Sequence, residues 1–202
     1  MRQLRGQKLC IATHNRGKVE EIAALLAPYD VRAVSADDLG LPEPVEDGTT
    51  FVHNARLKAH AAARATGMVA LADDSGICVD ALDGAPGVYT ADWAETPDGR
   101  DFGMAMTRTW TALEAVGATE PRRALFRCTL VLAWPDGAEA VFDGCMAGRI
   151  VWPMRGDQGH GYDPIFQPDG HALTFGEMDR FAKNRISHRA DAFAKLVAAC
   201  FT

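Results

Sequence analysis

Apolar residues in the N-terminal part of the chain alternate between short runs and helical spacing. The run Lys8–Ala12 is typical of a strand, and Val31–Val34 is a second, shorter candidate. Between them, Lys18–Leu26 carries apolar residues three and four positions apart, which predicts a helix. This order of elements predicts a strand, a loop, a helix and a second strand.

A second helix and a buried strand follow. Thr49 or Thr50 is a suitable cap for an alanine-rich helix that continues to Thr66. The apolar run Met68–Ala72 then predicts a strand, which we expect to end at the Asp-Asp-Ser-Gly sequence after it.

The C-terminal half predicts further strands and helices. Asp101–Val116 has an apolar stripe at helical spacing, and a Pro-Asp-Gly turn separates two long strand candidates, Arg123–Trp134 and Ala138–Val151. A terminal helix is predicted from Ser187 or Asp191. Together these elements predict an α/β fold with an elongated mixed β-sheet flanked by helices.

Composition narrows the class of protein. The 202 residues fit one compact domain covering 1–202, 48% of them are hydrophobic, and no apolar run approaches the roughly 18 residues that span a bilayer. Five scattered cysteines without a CxxC pair favour reduced core thiols, and the N-terminus lacks a signal-peptide pattern, so we expect a cytoplasmic protein with no membrane partner. A net charge of -6 argues against a nucleic acid polymer as partner, but it leaves room for a small phosphorylated ligand.

The first chemical candidate is the sequence Asp73-Asp74-Ser75-Gly76. Ligands of α/β proteins bind at the carboxyl ends of strands, and adjacent side chains of an extended chain point to opposite sides. One of the two carboxylates can therefore face a metal while the other anchors the loop. Taken alone, the sequence is equally compatible with a solvated turn.

A second candidate is the connection Thr13-His14-Asn15-Arg16-Gly17-Lys18 between the first strand and the first helix. Backbone N–H groups and the helix dipole attract anions at this place, which favours phosphate binding. The sequence is not a Walker A loop, because GxxxxGK[ST] is absent. An ordinary connection with a solvated Lys18 is the alternative.

Glu46 lies in an acidic, proline-rich loop before the second helix. Its carboxylate could converge with Asp74 as a second oxygen ligand for Mg²⁺. The sequence does not show that convergence, and a solvated acidic loop is the alternative.

Two later segments could contact a nucleotide base. His160-Gly161-Tyr162-Asp163 combines glycines with two flat rings, and Lys183, His188 and Arg189 belong to a basic segment of an acidic protein. A tight turn with core aromatics and a solvated helix start are the respective alternatives.

Five motifs in order resemble the inosine triphosphate pyrophosphatases, which hydrolyse ITP, dITP and XTP to the monophosphate and pyrophosphate. The matching segments cover nearly the whole chain and read ATHNRGKVEEI from Ala12, EDGTTFVHNARLKA from Glu46, ADDSGICVDALDGAPGVY from Ala72, GHGYDPIF from Gly159 and KNRISHRA from Lys183.

The resemblance implies a role for each motif. Thr13 to Lys18 is similar to the family's triphosphate-binding loop, Glu46 and Asp74 match its magnesium ligands, and Asp74 also matches its proton acceptor. Ser75 matches a substrate contact, and the nucleoside-binding positions are matched by His160, Gly161, Tyr162, Asp163, Lys183, His188 and Arg189. The resemblance also implies two lobes with a central cleft, usually in a homodimer.

Two positions depart from the family pattern. His160 replaces the usual Phe of GFGYDPIF, and Asp92 stands where many relatives carry Arg.

The alternatives to the expected function are a pyrophosphatase for other modified nucleotides and a nucleotide-binding sensor without turnover. Asp73 is expected to support the residues that form the site. The donors of Lys183, His188 and Arg189 favour a 6-oxo purine, and we expect selectivity for one that lacks a 2-amino group.

Overall fold

The structure, a computed structural model, describes residues 2–201 and contains five α-helices and eight strands in that range, besides short 3-10 turns. The helices are α1 (Arg16–Leu26), α2 (Phe51–Thr66), α3 (Phe102–Ala115), α4 (Arg180–Ile186) and α5 (His188–Cys200). The strands are β1 (Lys8–Ile11), β2 (Arg32–Ser35), β3 (Val69–Val79), β4 (Glu95–Thr96), β5 (Gly99–Arg100), β6 (Arg123–Ala133), β7 (Glu139–Ile150) and β8 (Phe166–Pro168).

The main sheet has six strands in the order β2-β1-β3-β6-β7-β8. β1 runs parallel to both β2 and β3, whereas β7 and β8 are antiparallel. The predicted mixed α/β sheet flanked by helices is therefore confirmed. Strands β4 and β5 form a separate antiparallel pair.

The predicted end of the third strand was wrong. β3 does not stop at Ala72 but continues through the Asp-Asp-Ser-Gly sequence to Val79. The reason is that apolar residues resume directly after the glycine, and Ile77 and Val79 are fully buried. The two adjacent acids therefore lie inside a strand and not in a loop.

Polar caps set the helix starts. α1 begins two residues earlier than predicted because the Asn15 side chain accepts a hydrogen bond from the Lys18 N–H. Thr50 caps α2 by accepting from the His53 N–H, as one of the two predicted caps. The basic segment near the C-terminus spans the end of an unpredicted helix, α4, whose cap is Asp179, and the first residues of α5.

The chain divides into two compact units. The first contains the described residues up to Asp74, Cys128–Gly144 and the residues from Arg189 onward, and the second contains Ser75–Arg127 and Cys145–His188. Two units agree with the two lobes expected from the resemblance. The elongated shape and the central cleft stay predictions.

The sheet of the first unit separates two apolar layers. Large side chains of β1, β3 and β6 pack with α1 and α5, including Leu9, Leu71, Leu130, Ile22 and Leu196. Small side chains on the opposite sheet face pack with alanines of α2, including Ala70, Ala72, Ala55, Ala59 and Ala63. The alanines let α2 approach the sheet closely, so this helix can place polar groups beside the strand ends.

The second unit has its own core. Met106 and Leu113 of the predicted stripe on α3 are buried there with Phe126, Phe166 and other apolar residues. Trp110, from the same stripe, is only partly buried, and its ring stacks on Trp152 at a centroid distance of 5.4 Å.

Two further expectations concern membrane-spanning segments and the cysteines. In residues 2–201 no helix is long and apolar enough to cross a membrane. All five cysteines are free, but only Cys10, Cys128 and Cys200 are buried, while Cys145 is exposed. The prediction that all five thiols belong to the core was therefore wrong.

The alanine layer yields a stability prediction. Ala59→Leu inserts a larger side chain at a fully buried position between α2 and the sheet, and it should lower the free energy of unfolding by about 1–3 kcal/mol. Ala65→Leu, at an exposed position of the same helix, should have little effect. Denaturant unfolding of both variants measures the difference, and equal stability would contradict the close packing of α2.

Candidate active site

The alternation of side chains along β3 places its two acids on opposite sheet faces. Val69 and Leu71 belong to the layer that packs with α1 and α5, and Asp73 continues this set. Ala70 and Ala72 belong to the layer that packs with α2, and Asp74 continues that one. The two carboxylates consequently have different partners, as the contacts below show.

Asp73 is an entirely buried carboxylate between two cations. Its Oδ2 lies 3.2 Å from the Lys18 Nζ and accepts a hydrogen bond of 2.9 Å from the Arg189 Nη2. Burial by itself would raise the pKa of Asp73, but Lys18 and Arg189 together hold it well below its usual range. Asp73 is therefore ionised and fixes the Lys18 ammonium group.

Arg189 is engaged on both sides. Its side chain is 2% exposed and donates to Glu21 of α1 as well as to Asp73. Burial by itself would lower the pKa of Arg189, but its acidic neighbours, Asp73 first among them and then Glu21, contribute to holding it above its usual range. The guanidinium thus links α1, β3 and the start of α5. The sequence predicted Arg189 as a contact of the base and did not indicate these two ion pairs.

The predicted phosphate loop is short because Arg16, Gly17 and Lys18 already belong to α1. Asn15 caps the helix, and the Thr13 Oγ1 accepts a hydrogen bond from the Asn15 N–H at 3.2 Å. The first turn of α1 therefore presents backbone N–H groups next to Lys18, an arrangement that favours an anion.

The side chains of His14 and Arg16, both in the predicted loop, differ in their contacts. The His14 Nε2 lies 2.8 Å from the Leu41 carbonyl oxygen, so this nitrogen carries the proton and donates. Arg16 is exposed, with only a loose ion pair of 3.9 Å to Glu20. His14 is thus a structural contact in this state, whereas Arg16 extends into solvent.

Asp74 lies on the α2 face of β3. Its Oδ2 accepts a hydrogen bond of 3.2 Å from the Asn54 Nδ2, and its side chain is mostly buried. Burial is the main reason that the pKa of Asp74 is raised to about 6, and nearby Glu46 and Asp73 add to the rise against the opposing effect of Lys58 and Lys18. A carboxylate in this position favours a bound cation or a proton.

Glu46 and Asp74 fit a magnesium ion as a pair. Both supply the hard oxygen atoms that Mg²⁺ prefers, and the negative charge of Glu46 is one of the contributions that raise the pKa of Asp74, smaller than that of burial. The Glu46 Oε2 also accepts from the Lys58 Nζ at 3.0 Å. Residues 2–201 contain no cluster of three metal-ligating side chains, so these two carboxylates are the candidate ligands that the sequence and its resemblance indicate.

The second unit holds its own polar cluster around Asp163. The Asp163 Oδ2 accepts from the His160 N–H at 2.7 Å and from the Lys183 Nζ at 2.5 Å. Gly159 has a positive φ of 75°, and a Cβ there would lie 2.1 Å from the same carboxylate oxygen. The pair of Asp163 and Lys183 therefore shapes the glycine-rich loop.

The remaining predicted contacts differ in exposure. His160 is exposed, whereas the ring of Tyr162 is buried in the core and forms a T-shaped contact with the Phe102 ring. The His188 ring stacks on Phe126, with centroids 4.8 Å apart and planes at 10°. Ser75 is partly buried on β3, and Gly161 has a positive φ of 67°.

Three polar residues of the first unit were not among the predicted site residues. Glu21, Asn54 and Lys58 each contact a predicted site residue through a side chain. Their sequence signal is helical spacing: Glu21 follows Lys18 by three positions, and Asn54 and Lys58 are four apart on α2. Such spacing is also typical of solvated surfaces, so it did not identify them.

Comparison with known proteins defines the class. The family model described as the Ham1 family matches residues 9–199, and the chain belongs to this family.

Curated relatives give a more particular comparison. The chain is 65% identical to the dITP/XTP pyrophosphatase of Ruegeria pomeroyi, covering 97% of this chain and 96% of the relative. It is 55% identical to the dITP/XTP pyrophosphatase of Mesorhizobium japonicum, covering 98% and 96%. The solved structure of a HAM1 protein from Coxiella burnetii matches with a TM-score of 0.87 at 35% identity, covering 96% of this chain and 98% of that one.

The raised pKa of Asp74 yields a prediction about stability and pH. Since the folded value of about 6 exceeds the ordinary value of 3.8, ionising Asp74 destabilises the metal-free fold progressively between these pH values and fully above them. Asp74→Asn should therefore raise the free energy of unfolding at pH 8 by about 1–3 kcal/mol.

The matching measurement at low pH provides the control. Below pH 4 both proteins carry a neutral group at this position, and the gain should vanish. Thermal unfolding with a chelator present, at pH 8 and at pH 3.5, checks this, and a gain of the same size at both pH values would refute the electrostatic cause.

Proposed function

We propose that this chain is a Mg²⁺-dependent pyrophosphatase that hydrolyses the non-standard purine nucleoside triphosphates ITP, dITP and XTP to the monophosphate and pyrophosphate. The observation that carries the proposal is the sorting of the two β3 acids, one beside Lys18 and the other beside Asn54 and Glu46. The names of the curated relatives support the substrate class.

The first unit supplies groups for the triphosphate. Lys18 and the N–H groups at the start of α1 bind phosphate oxygens, and Asp73 keeps the Lys18 ammonium group in place. Asp74, with its raised pKa, accepts a proton from the attacking water. Glu46 and Asp74 would hold Mg²⁺, which supplies charge neutralisation on the triphosphate when bound.

The groups proposed for the base are carried over from the resemblance. His160 is the exposed ring that stacks on it, whereas Tyr162, being buried, contributes by shaping the loop. Lys183 and His188, with Ser75 and Asp163, bind the nucleoside as the resemblance implies. Donors at the base favour a 6-oxo purine, because adenine would leave a buried donor facing a donor, which costs about 1–3 kcal/mol. Guanine shares the 6-oxo group, so its rejection depends on its 2-amino group.

The resemblance to the family also suggests the domain organisation, the oligomeric state and the partners. We propose that residues 1–202 act as a single pyrophosphatase domain, that two copies form a homodimer, and that the protein works in the cytoplasm to cleanse the nucleotide pool. Its partner is then the purine nucleoside triphosphate, with neither a nucleic acid polymer nor a membrane.

The reaction products test the function. With Mg²⁺, wild-type protein should release pyrophosphate from ITP, dITP and XTP, and much less from ATP, GTP and CTP, while Asp74→Asn should abolish turnover because it removes a metal-binding charge and a base. Reaction in heavy-oxygen water should label the monophosphate. Orthophosphate as the first product, or near-normal turnover by Asp74→Asn, would contradict the proposal, and binding without turnover by the wild type would favour a sensor.

The role of Lys18 gives a separate prediction. Lys18→Ala removes the cation held by Asp73, so kcat/KM for ITP should fall about 100-fold, with both affinity and rate reduced. Lys8→Ala, at an exposed position of β1, is the matched control and should behave as wild type. Steady-state kinetics of the two variants decides, and similar values for both would exclude Lys18 from phosphate binding.

A further inference from the structure

The side chain of Asn54 lies between the segment that carries Glu46 and the carboxylate of Asp74. It projects from the first turns of α2 and is only 4% exposed. Its Nδ2 donates to the Asp74 Oδ2 at 3.2 Å, and its Oδ1 accepts from the Gly48 N–H at 2.9 Å. One amide therefore bridges the two chain segments that supply the candidate metal ligands.

The chemistry of both partners determines the orientation of this amide. Gly48 offers an N–H donor, which requires the oxygen of Asn54, and an ionised Asp74 offers only acceptors, which require its nitrogen. The opposite orientation would place donor against donor and acceptor against acceptor. Asn54 therefore fits this position through both of its polar atoms.

Gly48 fits the same contact from the loop side. A Cβ on Gly48 would lie 2.4 Å from the Asn54 Oδ1 and 2.6 Å from the Cδ2 of the His53 ring. His53 is exposed and can move at little cost, whereas Asn54 is held by Asp74. The glycine thus allows the loop to approach α2 closely two residues after Glu46.

We propose that Asn54 is a positioning residue for the magnesium ligands: it orients the Asp74 carboxylate and ties the segment that bears Glu46 to α2. The inference rests on the proposed magnesium site and adds to it a residue that touches neither the metal nor the substrate. It also explains why a glycine stands at position 48.

Metal binding by itself is the first test. Free Mn²⁺ is measured by electron paramagnetic resonance during titration of the metal-free protein without nucleotide, and Asp74→Asn defines the background. Asn54→Ala and Gly48→Ala should each bind Mn²⁺ about 10-fold more weakly than wild type, the loss typical of residues that orient metal ligands. His53→Ala, which removes the other neighbour of Gly48, should bind as wild type.

Magnesium dependence of the rate is the second test. The Mg²⁺ concentration for half-maximal ITP hydrolysis should rise about 10-fold in Asn54→Ala and Gly48→Ala, while the rate at saturating Mg²⁺ recovers toward the wild-type value. A merely structural role would lower the maximal rate and would not respond to added Mg²⁺. Thermal unfolding verifies that each variant is folded, and the partly exposed Gly48 provides the measurement if Asn54→Ala fails to fold.

The outcomes separate this inference from the proposed function. If wild-type protein binds Mn²⁺ but releases no pyrophosphate, the proposed function fails, and the Mn²⁺ affinities of the variants still decide the role of Asn54. If both variants bind Mn²⁺ as tightly as His53→Ala, the inference is overturned while the proposed function stands. Background-level Mn²⁺ binding by the wild type would overturn the inference together with the metal site.

Discussion

The first unit depends on keeping one fully buried carboxylate ionised. Moving an ion out of water costs several kcal/mol even after relaxation, so Asp73 requires close cationic partners. Lys18 from α1 and Arg189 from α5 supply them, and Glu21 balances the second cation. Because these groups come from three different elements, the ionised state of Asp73 is tied to the packing of both helices on the sheet. The neighbouring thiol of Cys128 stays neutral, since burial raises its pKa to about 12.

The pleat of β3 gives Asp73 and Asp74 different surroundings and therefore different roles. Asp73 and Asp74 are adjacent in sequence, but the alternation of the strand directs one toward α1 and α5 and the other toward α2. The pKa of Asp73 is lowered by its cations, whereas the pKa of Asp74 is raised by burial and by nearby acids. One acid is thus held as a fixed charge, and the other is suited to exchange protons or to bind a cation. The alanine surface of α2 is what brings Asn54 within hydrogen-bonding distance of Asp74.

The second unit uses a comparable buried pair for a different purpose. Asp163 and Lys183 are both nearly inaccessible, and the carboxylate also accepts the His160 N–H. This pair fixes the loop at a place where glycines allow a backbone path closed to other residues. The loop therefore exposes His160 while Tyr162 is directed into the core. A polar pair thus decides which of two flat rings is available to a ligand.

The sequence by itself determined the types of the longer elements, the mixed sheet and the family, because hydrophobic periodicity and ordered motifs are local properties of the chain. It did not predict α4 or the short strands β4, β5 and β8. It also named Lys18, Glu46 and Asp74 as candidates. Tertiary structure decided what those residues contact: β3 continues through Asp73 and Asp74, Arg189 pairs with Asp73 and Glu21, and Asn54 joins Asp74 to Gly48. Each of these contacts joins residues far apart in the chain or depends on burial, and neither distance nor burial is encoded in a local pattern. Two adjacent acids have the same sequence whether they are solvated or paired with a buried guanidinium. Only the packing of the helices on the sheet distinguishes these two environments.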